Sequence, residues 1–329
     1  MHENSIAGPP EGKRTEIAVI GAGMMGPGIA QVFATYGHAV SLYNRTAAKL
    51  AFVHEKVDAN LRRMAEYGFV QTSEISAILG RIVTTRDLSQ ACSNAGVVIE
   101  TITEDLRLKQ DLFQDLDRLC PPETVLCSNT SVMSITQIGK NAIHRERILG
   151  THFYQPPFLV PLVEVIRTEL TTPEHMDTIF ELMRSVGKVP VRVQKDVPGF
   201  IANRMQHALW REAFALIDEG VCDPETVDIA VQNSFGLRLP VLGPVANADL
   251  VGLDLSLAIH DHVLPHLNAS RMPSSTLRAR VADGRLGFKT KSGFLEWTEE
   301  AMQATRDRLA THLLQYLSKE KCPAESKSA

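Results

Sequence analysis

Four side chains in this 329-residue chain are placed where they could move a proton to and from a carbon-bound oxygen. Ser131 follows the apolar run 124–128, His152 closes the run 148–151, Glu164 lies inside the apolar run 162–166, and Asn203 sits one turn into a long helical pattern starting at Phe200. A histidine that takes a proton while hydride leaves the same carbon needs a pKa near neutrality, and a neighbouring carboxylate can orient it and raise that value. A carboxylate inside an apolar strand is costly unless paired, so Glu164 needs a partner. The same residues admit plainer roles: His152 as a hydrogen-bonded strand-end residue, Glu164 paired with Arg167, Asn203 as a helix cap. No Cys/His spacing suits a metal and no Gly-x-Ser-x-Gly elbow occurs, so metallohydrolase and serine-hydrolase chemistries have no support.

Beside these residues stands a phosphate-binding turn. The run 16–20 (EIAVI) reads as a buried strand and leads into Gly21-Ala22-Gly23-Met24-Met25-Gly26, after which an Ala/Val/Phe-rich helical pattern continues through Ala34. Gly21 permits the tight turn, Gly23 lets the backbone approach a pyrophosphate, and Gly26 lets the helix pack closely on the strand. The pyrophosphate would sit where helix N–H groups are unpaired and the helix dipole is positive. Asn44, at the end of the second strand-like run 39–43, occupies the position where a carboxylate would accept the ribose hydroxyls of NAD. Asn44 cannot repel a 2′-phosphate and Arg45 can pair with one, so NADP fits Asn44-Arg45-Thr46. NAD fits as well, with Asn44 a neutral acceptor and Arg45 solvated.

The elements that must hold these residues follow a regular rhythm. Between residues 16 and 194, short apolar runs at 96–100, 124–128, 148–152, 162–166 and 190–193 alternate with helical patterns, which predicts an α/β Rossmann-type, doubly wound, mostly parallel sheet. The character changes at the linker 195–199. From 200 to 320 the patterns are helical, giving an all-α C-terminal domain that opens with one helix over 200–219 and closes with a charged helix over 299–319. Residues 1–15 and 321–329 read as flexible tails. A formal net charge of −4, with 44% hydrophobic and 22% charged residues, describes an ordinary globular chain and gives no electrostatic case for nucleic acid or an anionic membrane. Five scattered cysteines, no signal-peptide pattern and no membrane-length apolar stretch predict a cytoplasmic protein with reduced thiols.

Taken together, these residues resemble the L-3-hydroxyacyl-CoA dehydrogenase family. The matching segments are 21–30 (GAGMMGPGIA), 128–131 (SNTS), 152–157 (HFYQPP), 162–165 (LVEV), 198–204 (PGFIANR) and 287–294 (GFKTKSGF), in family order across residues 16 to 297. The resemblance implies an NAD(P)-binding domain, a helical domain forming a homodimer, and reversible oxidation of a 3-hydroxyl to a ketone. It implies His152 as general base, Glu164 as its orienting carboxylate, and Ser131 and Asn203 as hydrogen-bond partners of the reacting oxygen and the base. Gly21, Gly23, Met24, Met25, Gly26, Asn44, Arg45, Glu104, Lys109, Ser131 and Lys289 would contact the cofactor, and Ser131, Gln155 and Asn203 the substrate.

Gln155 stands where the family usually has Asn, and Asn60 and Tyr67 stand where it offers a Ser and a Lys to the CoA nucleotide, with Arg62 and Arg63 nearby. The proline-rich stretch 152–164 looks more like the branch acting on small free hydroxy acids, which includes gulonate dehydrogenase (lambda-crystallin) and carnitine dehydrogenase. The expected substrate is therefore a 3-hydroxyacyl-CoA such as 3-hydroxybutyryl-CoA, with a free 3-hydroxy acid as the alternative. The beta-hydroxyacid dehydrogenases share the opening motif and Asn44-Arg45-Thr46, but they use a catalytic lysine where this chain has Asn203. A crystallin-like or nucleotide-sensing protein is the non-enzyme alternative, against which the four polar residues together argue.

Overall fold

Short apolar runs buried on both faces can form only interior strands of a sheet covered on both sides, and the computed structural model, which describes residues 14–321, has that sheet. Its strands are β1 (Ile17–Ile20), β2 (Val40–Tyr43), β3 (Ile82–Thr85), β4 (Val97–Glu100), β5 (Val125–Ser128), β6 (Ile148–Phe153), β7 (Leu162–Arg167) and β8 (Val189–Val193). They lie in the order β3-β2-β1-β4-β5-β6-β7-β8. The reversal of strand order beside β1 puts a crevice at the carboxyl ends of β1 and β4, where doubly wound folds bind ligands. Successive residues of β1 feed opposite faces: Ile17 and Val19 join one apolar core, Ala18 and Ile20 the other. The expected doubly wound, mostly parallel sheet is present. β3 was not anticipated; it is a short edge strand with Val83 57% exposed, so its apolar signal is weak.

One pairing breaks the parallel rule. β7 runs antiparallel to β6, and His152 lies directly opposite Glu164. The connection 154–161 is shorter than the dozen or more residues that a parallel crossover needs.

The helices are α1 (Gly26–Thr35), α2 (Ala47–Leu50), α3 (Val53–Glu66), α4 (Ile75–Gly80), α5 (Leu88–Cys92), α6 (Leu106–Leu119), α7 (Ile135–Ile138), α8 (Pro173–Ser185), α9 (Ala202–Asp218), α10 (Pro224–Gln232), α11 (Pro244–Val251), α12 (Leu253–Val263), α13 (Ser275–Ala282) and α14 (Glu299–Lys321). The long helix expected from Phe200 begins instead at Ala202. Phe200 is buried with a left-handed φ of 48°, which stops the helix from starting earlier. Asn203 therefore lies in the first turn of α9.

The described residues divide into two compact units, one of residues 14–203 and 309–321, the other of residues 204–308. The end of α14 thus departs from the expected helical domain of 200–320. Its Leu314 is fully buried in the core that α1 and α3 also build, and Leu313 and Leu317 pack against that core. The expected linker 195–199 is anchored: the Asp196 carboxylate accepts from Ser134 Oγ at 2.6 Å and from the N–H groups of Ile135 and Thr136 at 3.1 and 2.7 Å. Within the second unit, Phe214 stacks on Phe294. Val245, Leu250, Leu253 and Leu257 of that unit are more than 60% exposed. The tails expected at 1–15 and 321–329 fall, but for residues 14, 15 and 321, outside the described residues. No helix among the described residues is long and apolar enough to cross a membrane.

Candidate active site

The glycine turn separates into two structural glycines and one that the protein does not require. A Cβ on Gly21 (φ +124°) would lie 2.7 Å from Thr101 Oγ1, and one on Gly26 would lie 1.8 Å from the Gly21 carbonyl oxygen. A Cβ on Gly23 would meet only Thr101 O, at 4.0 Å. Gly23 therefore leaves open space beside the start of α1, a helix whose N-terminus has no side-chain cap. Unpaired N–H groups next to an open cradle fit a pyrophosphate, so these residues suit a dinucleotide. Met24 is 79% exposed beside the cradle, while Met25 turns to the core. Asn44 reaches back to the turn, its Oδ1 accepting from Ala22 N–H at 3.3 Å and its Nδ2 donating to Thr46 O at 3.1 Å. Arg45 beside it is exposed.

At the far side of β4 and β5, the end of β6 and the start of β7 bring His152 and Glu164 together. His152 Nδ1 lies 2.7 Å from Glu164 Oε2, with the histidine 4% exposed and the glutamate 0%. Glu164 Oε2 also accepts from the Tyr154 hydroxyl at 3.1 Å, and Oε1 accepts from the N–H groups of Ile201 and Ala202, both at 2.9 Å, where α9 starts. Burial pushes the Glu164 carboxyl up, but the bonds from His152, Ala202 and Ile201 outweigh it and hold it below the usual carboxylate range. An ionised carboxylate only accepts hydrogen bonds, so Nδ1 must carry the proton and Nε2 is left as a base. Tyr154 and Phe200 flank the imidazole, with ring centres 4.4 and 5.8 Å away. Burial, then the charge of Glu164, raises the Tyr154 hydroxyl well above its ordinary value, so it stays protonated as a donor. The alternative pairing of Glu164 with Arg167 does not occur; Arg167 Nε turns to Thr168 O.

Ser131 and Asn203 are joined to each other rather than to the imidazole. Asn203 Nδ2 donates to the Ser131 carbonyl at 3.0 Å. Ser131 donates to Glu104 Oε1 through its N–H at 2.9 Å and through its hydroxyl at 3.2 Å, and the Thr130 hydroxyl donates to the same carboxylate at 2.9 Å. Burial pushes Glu104 up, yet the Ser131 N–H, the Lys109 charge and the hydroxyls bring it below its ordinary value. Lys109 is 1% exposed and lies 2.6 Å from Glu100 and 3.4 Å from Glu104. The expected Lys109 contact is thus a buried ammonium held between two carboxylates. Glu100 also accepts from Ser128 Oγ and Ile102 N–H, both at 2.7 Å; burial still raises its pKa.

Gln155 is exposed at the start of the 154–161 connection. Lys289 belongs to the second unit, exposed in the turn closed by Gly287 N–H on Ser292 O at 2.7 Å. Of the positions expected to face a CoA nucleotide, Asn60 Nδ2 donates to Gln31 Oε1 at 3.0 Å and Tyr67 packs on the core. Arg63 donates to Thr311 Oγ1 of α14 at 3.3 Å, and Arg62 pairs with Asp58 on the surface. Sequence reasoning missed Tyr154, Phe200, Glu100 and Asp196. Glu100, a carboxylate ending an apolar strand, carried the same signal as Glu164; the others had none.

A glycine-turn doubly wound sheet with a buried histidine–carboxylate pair at its carboxyl edge defines a nucleotide-dependent oxidoreductase. Two family models match nearly end to end: the 3-hydroxyacyl-CoA dehydrogenase NAD-binding domain over residues 16–197 and the C-terminal domain of the same family over residues 199–297. The chain belongs to the 3-hydroxyacyl-CoA dehydrogenase family. It is 34% identical to 5-formyl-3-hydroxy-2-methylpyridine 4-carboxylate 5-dehydrogenase of Mesorhizobium japonicum, over 89% of this chain and 94% of that one. It is 36% identical to 3-hydroxybutyryl-CoA dehydrogenase of Clostridioides difficile, over 86% of this chain and 100% of that one. A crystal structure of the pyridine carboxylate dehydrogenase, described as an NAD+-dependent dismutase, superposes with a TM-score of 0.86 at 33% identity, covering 92% of this chain and 97% of that one.

Proposed function

We propose that the protein is an NAD(H)-dependent dehydrogenase that interconverts a secondary hydroxyl and a ketone on a small free carboxylic acid, with His152 as the base. The observation that carries the chemistry is the buried His152–Glu164 pair anchored on the start of α9. Bound NAD supplies the hydride acceptor. His152 Nε2 takes the hydroxyl proton as the oxygen becomes a carbonyl, and Glu164 stabilises the imidazolium so formed. In the opposite direction the imidazolium returns that proton. Ser131 and Asn203, tied together through the Ser131 carbonyl, position the substrate oxygen, and Gln155 faces the rest of the substrate. Glu104 holds Ser131 in place and Lys109 acts through Glu104. Gly21, Gly23 and Gly26 shape the cofactor cradle flanked by Met24 and Met25, and Asn44 meets the ribose with Arg45 beside it.

The free-acid reading rests on α3. Asn60 is engaged by Gln31, Arg63 by Thr311, and Leu314 of α14 is buried against α1 and α3. Of the side chains that would meet a CoA nucleotide, Asn60, Arg63 and Tyr67 are thus engaged within the first unit, while Arg62 stays on the surface. The thioester reading is supported by both family models and by the 3-hydroxybutyryl-CoA relative. Initial rates on acetoacetyl-CoA against free acetoacetate and a panel of hydroxy and pyridine carboxylic acids, each with NADH and NADPH, separate the two. Turnover confined to the thioester defeats the free-acid reading. The exposed Val245, Leu250, Leu253 and Leu257 of the second unit support a homodimer, since apolar patches of that kind mark protein interfaces; a monomeric mass by light scattering would refute it.

A further inference from the structure

The first unit carries a cavity of about 350 Å³ that none of His152, Glu164, Ser131 or the glycine turn lines. Its walls come from Val32 of α1 and Tyr36 just after it, from Met64 of α3, from Lys188 just before β8, and from Leu317 of α14. This volume is within the range of small-molecule pockets, whose mostly apolar walls carry a few placed polar groups. Here one of those groups is a buried cation. Lys188 is 8% exposed, and its ammonium donates to the carbonyls of Pro157 and, at 2.9 Å, Val160.

Among the described residues Lys188 makes no ion pair. An ammonium has three donors, and two carbonyls leave one unused. Burial alone pushes the Lys188 pKa down to about 8, with no carboxylate to bring it back. A buried charge without a counter-ion is costly. A molecule with an apolar body and an anionic end would fill the cavity and neutralise the cation together.

We propose that this cavity binds a small apolar monocarboxylate, with its carboxylate paired to Lys188. The site is separate from the reacting centre. It adjoins the 154–161 connection that carries Tyr154 and Gln155, because the same ammonium holds the carbonyls of Pro157 and Val160.

The test is calorimetric titration of the full chain, saturated with NADH, using hexanoate and its neutral isostere hexanamide. Hexanoate should bind at one site per chain, at least about tenfold more tightly than hexanamide, since a hydrogen-bonded charge pair is worth at least that factor. Lys188→Met should remove this preference. Leu317→Trp, which fills the cavity from α14 without touching the ammonium, should abolish binding of both probes and keeps the proposal testable if Lys188→Met fails to fold. Equal affinities for the two probes, hexanoate binding unchanged by Leu317→Trp, or no saturable binding up to about 10 mM would each overturn the proposal.

Discussion

At the residue scale, Glu164 has four hydrogen-bond partners for two oxygens, and the division of labour between them is informative. Oε1 is spent on the two N–H groups where α9 begins, and Oε2 on His152 and Tyr154. The charge is thus fixed by backbone whether or not the imidazole is protonated, which keeps Nδ1–H in place through the proton transfer. Replacing His152 by Gln should lower turnover by about 10²–10⁴-fold, the usual worth of a general base, with cofactor affinity nearly unchanged; a parallel loss of NADH affinity by fluorescence titration would mean that His152 is structural. Glu164→Gln is expected to cost as much or more, because an amide can present its NH₂ to Nδ1 and stabilise the wrong tautomer, a change that costs about 10⁴-fold in serine proteases. Asn44→Asp should shift the kcat/KM ratio toward NADH over NADPH, since a carboxylate at that position accepts ribose hydroxyls and repels a 2′-phosphate. An unchanged ratio would place the ribose elsewhere.

At the element scale, the glycine turn gives a contrast between two alanines. Gly26→Ala drives a Cβ to 1.8 Å from a backbone carbonyl and should destabilise by about 3 kcal/mol or more. Gly23→Ala meets nothing nearer than 4.0 Å and should leave the urea midpoint unchanged while weakening NADH binding. The turn was legible in the sequence because its glycines are set by local backbone geometry. So were seven of the eight strands, whose runs are rich in apolar residues. The pairing of His152 with Glu164 was expected only through resemblance, although the short connection between their strands already required the antiparallel return that sets them opposite each other. What was not legible depends on distant segments. Tyr154 and Phe200 matter because of where the 154–161 connection and the start of α9 fold, and Lys109 is buried because Glu100 sits across from it. The allegiance of α14 was hidden for the same reason: a charged amphipathic pattern implies an apolar face without saying which core it meets, and the burial of Leu314 shows that for its end.

At the scale of the whole molecule, the first unit concentrates its electrostatic stakes in a few buried carboxylates. Asp117 lies 2.9 Å from Arg147, both side chains 2% exposed, and also accepts from the N–H groups of Ile143 and His144. Burial pushes its carboxyl up, but Arg147 and those N–H groups bring it below the ordinary value. With Glu104 and Glu164 this makes three acids whose folded pKa is depressed. A depressed pKa means that the unfolded chain binds the proton more readily. Each group therefore contributes stability that is present above its unfolded pKa, about 4, and is lost as the pH falls through the lower folded value. Glu100 runs the other way: its raised folded pKa makes its ionised form a cost at neutral pH, which protonation relieves. His38, whose folded pKa burial lowers, and Asp218, Asp223 and Glu300, held low mainly by hydrogen bonds, act in the same direction as the three depressed acids. Acidification should therefore bring a net loss of stability that steepens below about pH 4. Urea unfolding of the whole chain from pH 6 to pH 3 should show this fall, with a shallower slope in Asp117→Asn measured relative to its own neutral-pH stability. A midpoint that holds flat through pH 3 would mean that these carboxylates are no better held in the folded chain than in the unfolded one.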